Sequence, residues 1–457
     1  MKKMTFRVNH AESLEQMVDW ERGLITGRIF VDDGIYQQEA EKLFLRGWIF
    51  LAHEDQLRNY GDFLSTYIGA DRILVVRQRD GTIKALLNAC RHRGTSICRA
   101  DAGNAKSFAC PFHGWTYDAA GNLISAPNLE SGYHGKLDKS QWGLVSVPRL
   151  ESYKGLIFGC FAPDAPSLLD YLGGMAWYLD SLLDRREGGT EIIGGVHKMR
   201  IRGNWKLAAE QFAGDNYHAI MTHASLATAW ADPETTRSLG GFSKLMALPG
   251  RQFSSRQGHG MAGFLVKSAS LASFPGNRSI SEDQGIVADY YKSTRDEVAN
   301  RLGAERAQRP TDGAGLVFPN FTFLAMVLGS STIGVLQPKG PHQFEHWRWC
   351  IVDKAAPKDV KDAMVRCLHV WPIGLADADD GENWGAIQSS LGGPLVQRLK
   401  FNYQMGMGAE GRDAVYPGTL NPNMIGEFPQ RRFYRRWLEY MTSESWPSVD
   451  DVEASER

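Results

Sequence analysis

Two short stretches carry much of the information in this 457-residue chain: Cys90-Arg-His92-Arg-Gly94 and Cys110-Pro-Phe-His113-Gly-Trp115. Each supplies one thiol and one imidazole, which are good ligands for soft transition metals. Each also follows a run of residues that is typical of a β-strand. Two loops at strand ends could therefore clamp one metal centre between them.

A Cys₂His₂ set fits either a structural Zn²⁺ or a Rieske [2Fe–2S] centre. Zinc sites usually take two Cys from one turn and two His from another, whereas here each loop supplies one of each. In a Rieske centre two thiolates hold one iron and two imidazoles hold the other. The spacing therefore favours a Rieske centre held by Cys90, His92, Cys110 and His113.

The composition is that of an ordinary globular protein, with 43% hydrophobic and 23% charged residues. The formal net charge is −1, and phosphate-bearing partners call for a basic excess, so we expect no nucleic-acid or membrane-surface partner. The sequence shows no apolar run long enough for a membrane span and no signal peptide at its start. Six Cys in a chain of this length do not indicate a disulfide scaffold, so we expect a reduced, cytoplasmic protein.

We predict an α+β fold with two domains, because the chain is too long for one ordinary core. Residues 47–163, rich in β-branched residues and turns, form a small β-rich domain. Residues 164–457 alternate between helical and strand-like runs, and residues 1–46 look helical. These two ranges are expected to form a larger mixed α+β domain with a central antiparallel sheet. Residues 225–315, rich in Gly, Ser and charge, are either loops around a pocket or plain surface.

A second group of candidate ligands lies between Gln211 and His223, inside a predicted helix from Asn204 to Ala224. On a regular helix, Asp215 and His218 project about 60° apart, close enough for a carboxylate–imidazole contact. His218 and His223 project about 140° apart, which is poor for two ligands of one ion. Both can bind one metal only if the helix loosens, for example through a π-type turn.

Two His need a carboxylate to complete the facial triad of a mononuclear ferrous site with open positions for O₂. The richest acidic cluster downstream is Asp377-Ala-Asp379-Asp380-Gly-Glu382-Asn-Trp384, which opens a predicted helix. Only one of two adjacent Asp side chains can face a given ion, so the residues alone leave Asp379 and Asp380 both open.

From Trp48 onwards the sequence resembles the large (α) subunit of Rieske non-haem iron aromatic-ring dioxygenases. The resemblance lies in the two Cys/His loops, in Asp215-x-x-His218-x-x-x-x-His223, and in Asp379-Asp380-Gly-Glu-Asn-Trp384, which is similar to the biphenyl, cumene and toluene branch. It implies that Asp380 completes the iron site with the two His. It also implies that Asp215 bridges the two metal centres across a subunit boundary, with His113 supplied by a neighbouring chain.

The same resemblance implies the activity and the partners. The expected enzyme is a terminal oxygenase that adds both atoms of O₂ to an aromatic ring, as in an aromatic or polycyclic hydrocarbon, to give a cis-dihydrodiol. Its expected cofactors are a [2Fe–2S] cluster and a mononuclear Fe(II), with electrons from NADH through a reductase and a ferredoxin. A small β subunit in an α3β3 assembly is expected too. The alternative is a Rieske monooxygenase or demethylase, or an aromatic-carboxylate dioxygenase, of the same fold.

Seven residues near these motifs are candidates for the substrate pocket: Gln211, Phe212, Asn216, Ala219, Leu324, Met326 and Trp371. The neighbours of the iron motif supply no cation, and a buried carboxylate without a partner is costly. Arg251, Arg256 and Lys267 could supply one, but Arg and Lys are more often solvated at a surface. We therefore expect a hydrocarbon substrate rather than benzoate, phthalate or salicylate.

Overall fold

The computed structural model describes residues 12–224, 250–264, 281–308, 312–327 and 329–448. Its strands are β1 (Val18–Asp19), β2 (Leu24–Thr26), β3 (Ile49–His53), β4 (Asp62–Ile68), β5 (Asp71–Arg77), β6 (Ile83–Leu87), β7 (Ala102–Asn104), β8 (Ser107–Ala109), β9 (Thr116–Asp118), β10 (Leu123–Ser125), β11 (Arg149–Tyr153), β12 (Leu156–Cys160), β13 (Thr190–Ile201), β14 (Gly250–Ser254), β15 (Gly260–Phe264), β16 (Asp312–Val317), β17 (Phe321–Val327), β18 (Ser330–Pro338), β19 (Phe344–Asp353), β20 (Lys400–Asn402) and β21 (Thr419–Asn421).

The α-helices are α1 (Leu14–Met17), α2 (Asp33–Gln38), α3 (Leu168–Leu172), α4 (Met175–Leu183), α5 (Trp205–Phe212), α6 (Ala219–Thr222), α7 (Ser281–Ser293), α8 (Arg295–Leu302), α9 (Ala304–Gln308), α10 (Lys358–Val370), α11 (Asp377–Ser390) and α12 (Phe428–Thr442). Two π-helical turns, Glu39–Phe44 and Pro372–Ala376, follow α2 and precede α11. Short 3₁₀ turns occur at Gly27–Phe30, Glu54–Gln56, Lys139–Trp142 and Val396–Arg398.

Three small antiparallel sheets form the β-rich part of the chain, with the strand orders β6-β5-β4-β7, β10-β9-β8 and β11-β12-β3. The first two enclose an apolar cluster that includes Leu74, Leu86 and Tyr117, and both Cys90 and Cys110 belong to it. The two cysteines therefore extend from the loops into a packed core.

The larger part of the chain is built on an eight-stranded antiparallel sheet with the order β13-β19-β18-β17-β16-β15-β14-β21. On one face, Trp347 and Trp349 of β19 pack in a cluster with residues of α3 and α4. On the other face, Phe344 packs with Trp205 of α5 and Trp437 of α12. The α+β class, with a β-rich domain beside a larger domain on an antiparallel sheet, confirms the prediction.

The N-terminal segment packs against this second face. The Phe30 ring lies 6.2 Å from that of Tyr434, and the Asn204 side chain donates to the Phe30 carbonyl at 3.0 Å. A fully buried ion pair joins Glu39 Oε1 to Lys206 Nζ at 2.5 Å. These contacts tie residues 12–46 to α5 and α12, whereas the exact limits of the two domains stay a prediction.

The prediction of one helix from Asn204 to Ala224 is wrong. The structure ends α5 at Phe212 and begins α6 at Ala219. The break falls at Gly214, whose φ is +146° and where a Cβ atom would lie 2.9 Å from Cγ of Pro429 on α12. The backbone therefore leaves the helical conformation at Gly214, where the approach of α12 leaves no room for a side chain.

Across the described ranges, no helix is both long enough and apolar enough to cross a bilayer.

Candidate metal centres

The two Cys/His loops have the same backbone hydrogen bonds. In the first, the N–H of Cys90 donates to the Thr95 carbonyl at 2.9 Å and that of Gly94 donates to the Cys90 carbonyl at 2.8 Å. In the second, the N–H of Cys110 donates to the Trp115 carbonyl at 2.7 Å and that of Gly114 donates to the Cys110 carbonyl at 3.0 Å. Gly94 and Gly114 both have φ of +74°, which favours glycine. The two loops are therefore structural equivalents, although their Cys–His spacings differ by one residue.

The thiols of these loops face inward and the imidazoles face outward. Cys90 and Cys110 are 3% and 4% exposed, whereas His113 is exposed and His92 is half-buried. The two imidazole rings lie 4.7 Å apart, and the His92 ring stacks on Trp115 at 5.1 Å. A cluster held here would have its thiolate end in the core and its imidazole end at the surface.

The donor set fits two irons better than one zinc. Four ligands of a single tetrahedral Zn²⁺ lie within about 4 Å of one another. In the part of the chain that the structure describes, only one group of three or more His, Cys, Asp and Glu ligand atoms lies within 4.8 Å, and it is not this one. The Nδ1 atom of His92 is buried without a hydrogen-bond partner, as a metal-binding atom would be.

The group that does converge consists of His218, His223 and Asp380. The Nε2 atoms of the two His lie 3.3 Å apart. Oδ1 of Asp380 lies 3.5 Å from Nε2 of His218 and 3.6 Å from Nε2 of His223. The corners of such a triangle lie about 2 Å from its centre, which is a metal–ligand distance for N and O donors. Oδ1 of Asp380 is buried without a hydrogen-bond partner, so the donors fit a single ion.

The break between α5 and α6 explains how His218 and His223, which are five residues apart, can face the same point. His218 directly precedes the single turn of α6 and His223 directly follows it. Neither imidazole therefore has to project from the middle of a regular helix. Asp380 comes from the first turn of α11, which approaches α6 closely enough for Asn383 Nδ2 to lie 3.5 Å from Oγ1 of Thr222.

Acidic neighbours contact the two imidazole donors. Asp215 accepts a hydrogen bond from the N–H of His218 at 3.2 Å, and its Oδ2 lies 3.5 Å from Nδ1 of the same ring. Oδ2 of Asp379 lies 3.4 Å from Nδ1 of His223. The two adjacent Asp residues therefore have different surroundings: Asp380 faces both Nε2 atoms and Asp379 faces the far side of one ring.

The surroundings shift the pKa values of the three donors in different directions. Burial raises the pKa of Asp380 to about 7, against the attraction of His218, and it lowers the pKa of His223 to about 4. For His218, burial alone would lower the pKa, but the Asp215 carboxylate raises it overall. A bound cation would reverse the effect of burial on the carboxylate, as expected at a metal site.

Several predicted pocket residues lie beside this triangle. The Gln211 amide lies 3.3 Å from Nε2 of His218 and accepts a hydrogen bond from Trp384 Nε1 at 2.9 Å. Phe212 is 6% exposed, and its ring centroid lies 5.5 Å from that of His346. Ala219, which is also buried, begins α6.

The remaining pocket candidates are less informative. Leu324 is partly buried in β17, and Trp371 is buried at the end of α10. The Asn216 amide lies 3.8 Å from Sδ of Met424. The side chain of Met326 lies outside what the structure describes, as do Lys267 and much of the segment 225–315.

One pair of buried charges near the site was not predicted. Nη1 of Arg348 lies 3.0 Å from Oδ1 of Asp377, with the two side chains 2% and 4% exposed. The guanidinium lies 5.5 Å over the Phe212 ring. An indication was present in the sequence: the inward positions of β19 read Phe344, His346 and Arg348, where an apolar alternation is expected.

The comparisons with known proteins agree with both centres. Residues 47–153 match the family model described as "Rieske [2Fe-2S] domain", and residues 170–443 match "Ring hydroxylating alpha subunit (catalytic domain)". The benzene 1,2-dioxygenase α subunit of Pseudomonas putida is 40% identical over 95% of each chain. The biphenyl 2,3-dioxygenase α subunit of Rhodococcus jostii (strain RHA1) is 39% identical over 96% of this chain and 93% of its own length.

Among solved structures, naphthalene 1,2-dioxygenase with indole in its active site matches with a TM-score of 0.84 at 31% identity, covering 94% of this chain and 95% of its own. The chain therefore belongs to the α subunits of ring-hydroxylating dioxygenases. It is an oxidoreductase with a Rieske [2Fe–2S] cluster and a mononuclear iron, and it uses O₂.

Proposed function

We propose that this chain is the terminal oxygenase of a multicomponent system that converts an aromatic hydrocarbon to a cis-dihydrodiol. The observation that carries the proposal is the triangle of His218, His223 and Asp380 in one chain with a Rieske domain. A simple electron carrier has no need of such a triangle. We assign these three residues as ligands of the mononuclear iron, and Cys90, His92, Cys110 and His113 as ligands of the cluster.

When bound, the ferrous ion supplies open coordination positions at which O₂ can react. The residues around it hold and shield the site. Asp215 and Asp379 contact the far nitrogens of the two imidazoles and so fix their orientation. Gln211 lies between His218 and Trp384, and the next residue, Phe212, is buried with its ring against that of His346.

We further propose that Asp215 joins the two centres of neighbouring subunits. Within one chain, His113 and Asp215 share no hydrogen bond, ion pair or ring contact, although both lie in the described ranges. Both stand beside exposed apolar side chains: Phe112 is 57% exposed, and Tyr217 and Met221 are 51% and 80% exposed. Such exposed side chains suit a subunit contact. His113 of the partner subunit would then meet Asp215 in a ring of three α subunits, with small β subunits completing α3β3.

The remaining partners follow from the same proposal. The α-subunit relatives are named as parts of multi-subunit dioxygenases. We propose that electrons come from NADH through a reductase and a ferredoxin, and that the enzyme works in the cytoplasm, where these donors occur. All six Cys lie in the described ranges and none of them forms a disulfide, which suits a reducing compartment.

The proposed substrate is an apolar aromatic compound. Relatives are named for benzene and biphenyl. Of the candidate cations, Arg251 is 3.2 Å from the Asp413 carboxylate, and Lys267 lies outside the described residues. Arg348, a cation near the site that was not among the candidates, is paired with Asp377. A substrate carboxylate would therefore compete with a partner already in place.

Turnover of naphthalene and biphenyl should be faster than that of benzoate, phthalate and salicylate when product is measured with saturating ferredoxin and reductase. A preference for a carboxylate that Arg251→Ala or Arg256→Ala removes would contradict the hydrocarbon assignment. The assignment as an oxygenase would still stand.

A further inference from the structure

Strand β19, which lies between β13 and β18 in the large sheet, carries an anomaly. On the face of β19 toward α5 and α11, Phe344 belongs to one apolar cluster, and Cys350 and Val352 belong to another. Between these clusters stand His346 and Arg348, 1% and 2% exposed. Arg is almost never fully buried without a partner, since desolvating its charge is costly. A buried cation at this position needs an explanation.

The partner of Arg348 is the first residue of the helix that carries Asp380. Nη1 of Arg348 lies 3.0 Å from Oδ1 of Asp377, and Asp377 begins α11. Three positions along a helix correspond to a rotation of about 60°, so Asp377 and Asp380 project from the same side. An ion pair that holds Asp377 therefore fixes both the position of Asp380 along the helix axis and the direction in which its carboxylate projects.

The first turn of α11 also contacts the segment after α5 through Asp379, whose Oδ2 lies 3.4 Å from Nδ1 of His223, but that contact does not involve the sheet. The helix follows the π-helical turn Pro372–Ala376, and Ala376 at the N-cap position provides no side-chain cap. Later turns are tied to α5 and its N-cap: Trp384 donates to Gln211 at 2.9 Å, and Gln388 accepts from the Asn204 N–H at 2.8 Å. The contact with Arg348 is what ties the first turn to the sheet.

The same guanidinium also contacts the other half of the ligand set. Its Cζ atom lies 5.5 Å over the ring of Phe212, and the neighbouring Gln211 contacts Nε2 of His218. Arg348 thus lies between the segment that supplies the two imidazoles and the helix that supplies the carboxylate. Because β19 is hydrogen-bonded to a strand on each side, β13 and β18, it provides a rigid base for both contacts.

We propose that Arg348 is a positioning residue for the mononuclear iron: through its ion pair with Asp377 it places the Asp380 carboxylate at the metal. This inference rests on the proposed ligand set. Contacts of this kind, one shell outside the ligands, typically change metal affinity about 10- to 100-fold when they are removed.

The test separates positioning from simple charge balance. Arg348→Met leaves Asp377 as a buried carboxylate without its cation, so both the melting temperature and the affinity for ferrous iron should fall. The double variant Arg348→Met/Asp377→Leu removes both charges, and such apolar replacements of buried ion pairs are often neutral or stabilising. We expect the double variant to regain the melting temperature while its affinity for ferrous iron stays about 10- to 100-fold below that of the parent protein.

The measurements are an anaerobic titration of iron-depleted protein with ferrous iron, a melting curve, and the visible spectrum of the Rieske cluster as an internal control. Arg348→Lys keeps the charge but ends in a compact ammonium group of different reach, so it should bind iron with intermediate affinity. Parent-like iron affinity in the double variant would overturn the proposal, because the pair would then only balance charge. If Arg348→Met alone fails to fold, the double variant and Arg348→Lys decide the question.

A matched control distinguishes this inference from the ligand assignment beneath it. His218→Ala should lose the mononuclear iron whatever Arg348 does. If His218→Ala loses iron and the double variant binds it normally, the positioning role alone is wrong. If His218→Ala keeps its iron, the ligand set itself is wrong, and the role of Arg348 falls with it.

Discussion

The two metal centres of this chain are built in opposite ways. The proposed Rieske ligands lie in one stretch from Cys90 to His113, on two loops held by hydrogen bonds within each loop. The proposed iron ligands come from two distant stretches and meet only because α11 packs against the segment after α5. The first centre depends on local backbone geometry, whereas the second depends on the packing of the whole domain.

This difference has a practical consequence. A change in a Cys/His loop should affect the cluster and leave the iron in place. A change that disturbs α11 or the segment after α5 should release the iron and leave the cluster intact. The following variants test whether the two centres fail independently.

The largest effect is expected at the iron ligands. His218→Ala, His223→Ala and Asp380→Ala each remove one of only three protein ligands, so turnover should be abolished and the mononuclear iron lost. The visible spectrum of the cluster should not change. Metal analysis and absorption spectra of the purified variants measure both centres in one sample.

Asp379→Ala is the matched control, because Asp379 contacts the far nitrogen of His223 rather than the triangle. It should keep iron, with affinity lowered about 10- to 100-fold by the loss of an orienting contact. If Asp379→Ala lost its iron while Asp380→Ala retained it, the choice between the two neighbours would be reversed.

The next largest effect is expected at the link between the centres. Asp215→Asn preserves size but removes the charge beside Nδ1 of His218. Both centres should remain populated, while steady-state turnover falls about 100-fold because electron delivery fails. Assays of turnover, run with metal analysis on the same preparation, measure this.

Mixed trimers then test whether the link runs between chains. Asp215→Asn subunits keep an intact cluster, and His113→Ala subunits keep an intact iron site. Together they should recover some activity if each cluster serves the iron of a neighbour. Verified mixed trimers with no activity would favour a route within one chain.

A smaller effect is expected in the Cys/His loops. Gly94 and Gly114 share a φ of +74°, so replacing either by Ala should cost about 1–2 kcal/mol of strain. At Gly114 the new Cβ would also lie 3.1 Å from Cγ of Pro127, whereas at Gly94 nothing lies within 4 Å. Gly114→Ala should therefore lose the cluster absorbance at a lower temperature than Gly94→Ala.

Neither glycine variant should change the content of mononuclear iron. Loss of that iron in either would show that the two centres are coupled more closely than the structure indicates. Equal melting of the two variants would show instead that Pro127 gives way without cost.

The same contrast explains what the sequence could predict. Cys90, His92, Cys110 and His113 could be assigned from their spacing, because their loops are local and the ligand types are diagnostic. Asp380 could be preferred to Asp379 only through family resemblance, since the direction of each side chain depends on how α11 packs. The break after Phe212 was missed because Gly214 is constrained by Pro429, far away in the sequence.

Arg348 illustrates the limit most clearly. A lone Arg in a strand is ordinary at a surface, and its importance appears only when both faces of the sheet are known to be covered. Its partner Asp377 was visible only as one member of an acidic cluster. The polar residues at inward positions of β19 indicated that Arg348 was unusual, but its pairing with Asp377 is a property of the tertiary structure that no local pattern identifies.

The central claim is that this chain dioxygenates an aromatic hydrocarbon, and the most direct measurement is one turnover under ¹⁸O₂. Protein with both centres filled is reduced chemically, freed of excess reductant, mixed with naphthalene and ¹⁸O₂, and its product is analysed by mass spectrometry. The account predicts a cis-dihydrodiol in which both hydroxyl oxygens carry the label. A product with a single labelled oxygen, or no product from naphthalene or biphenyl while an aromatic carboxylate is consumed, would contradict it.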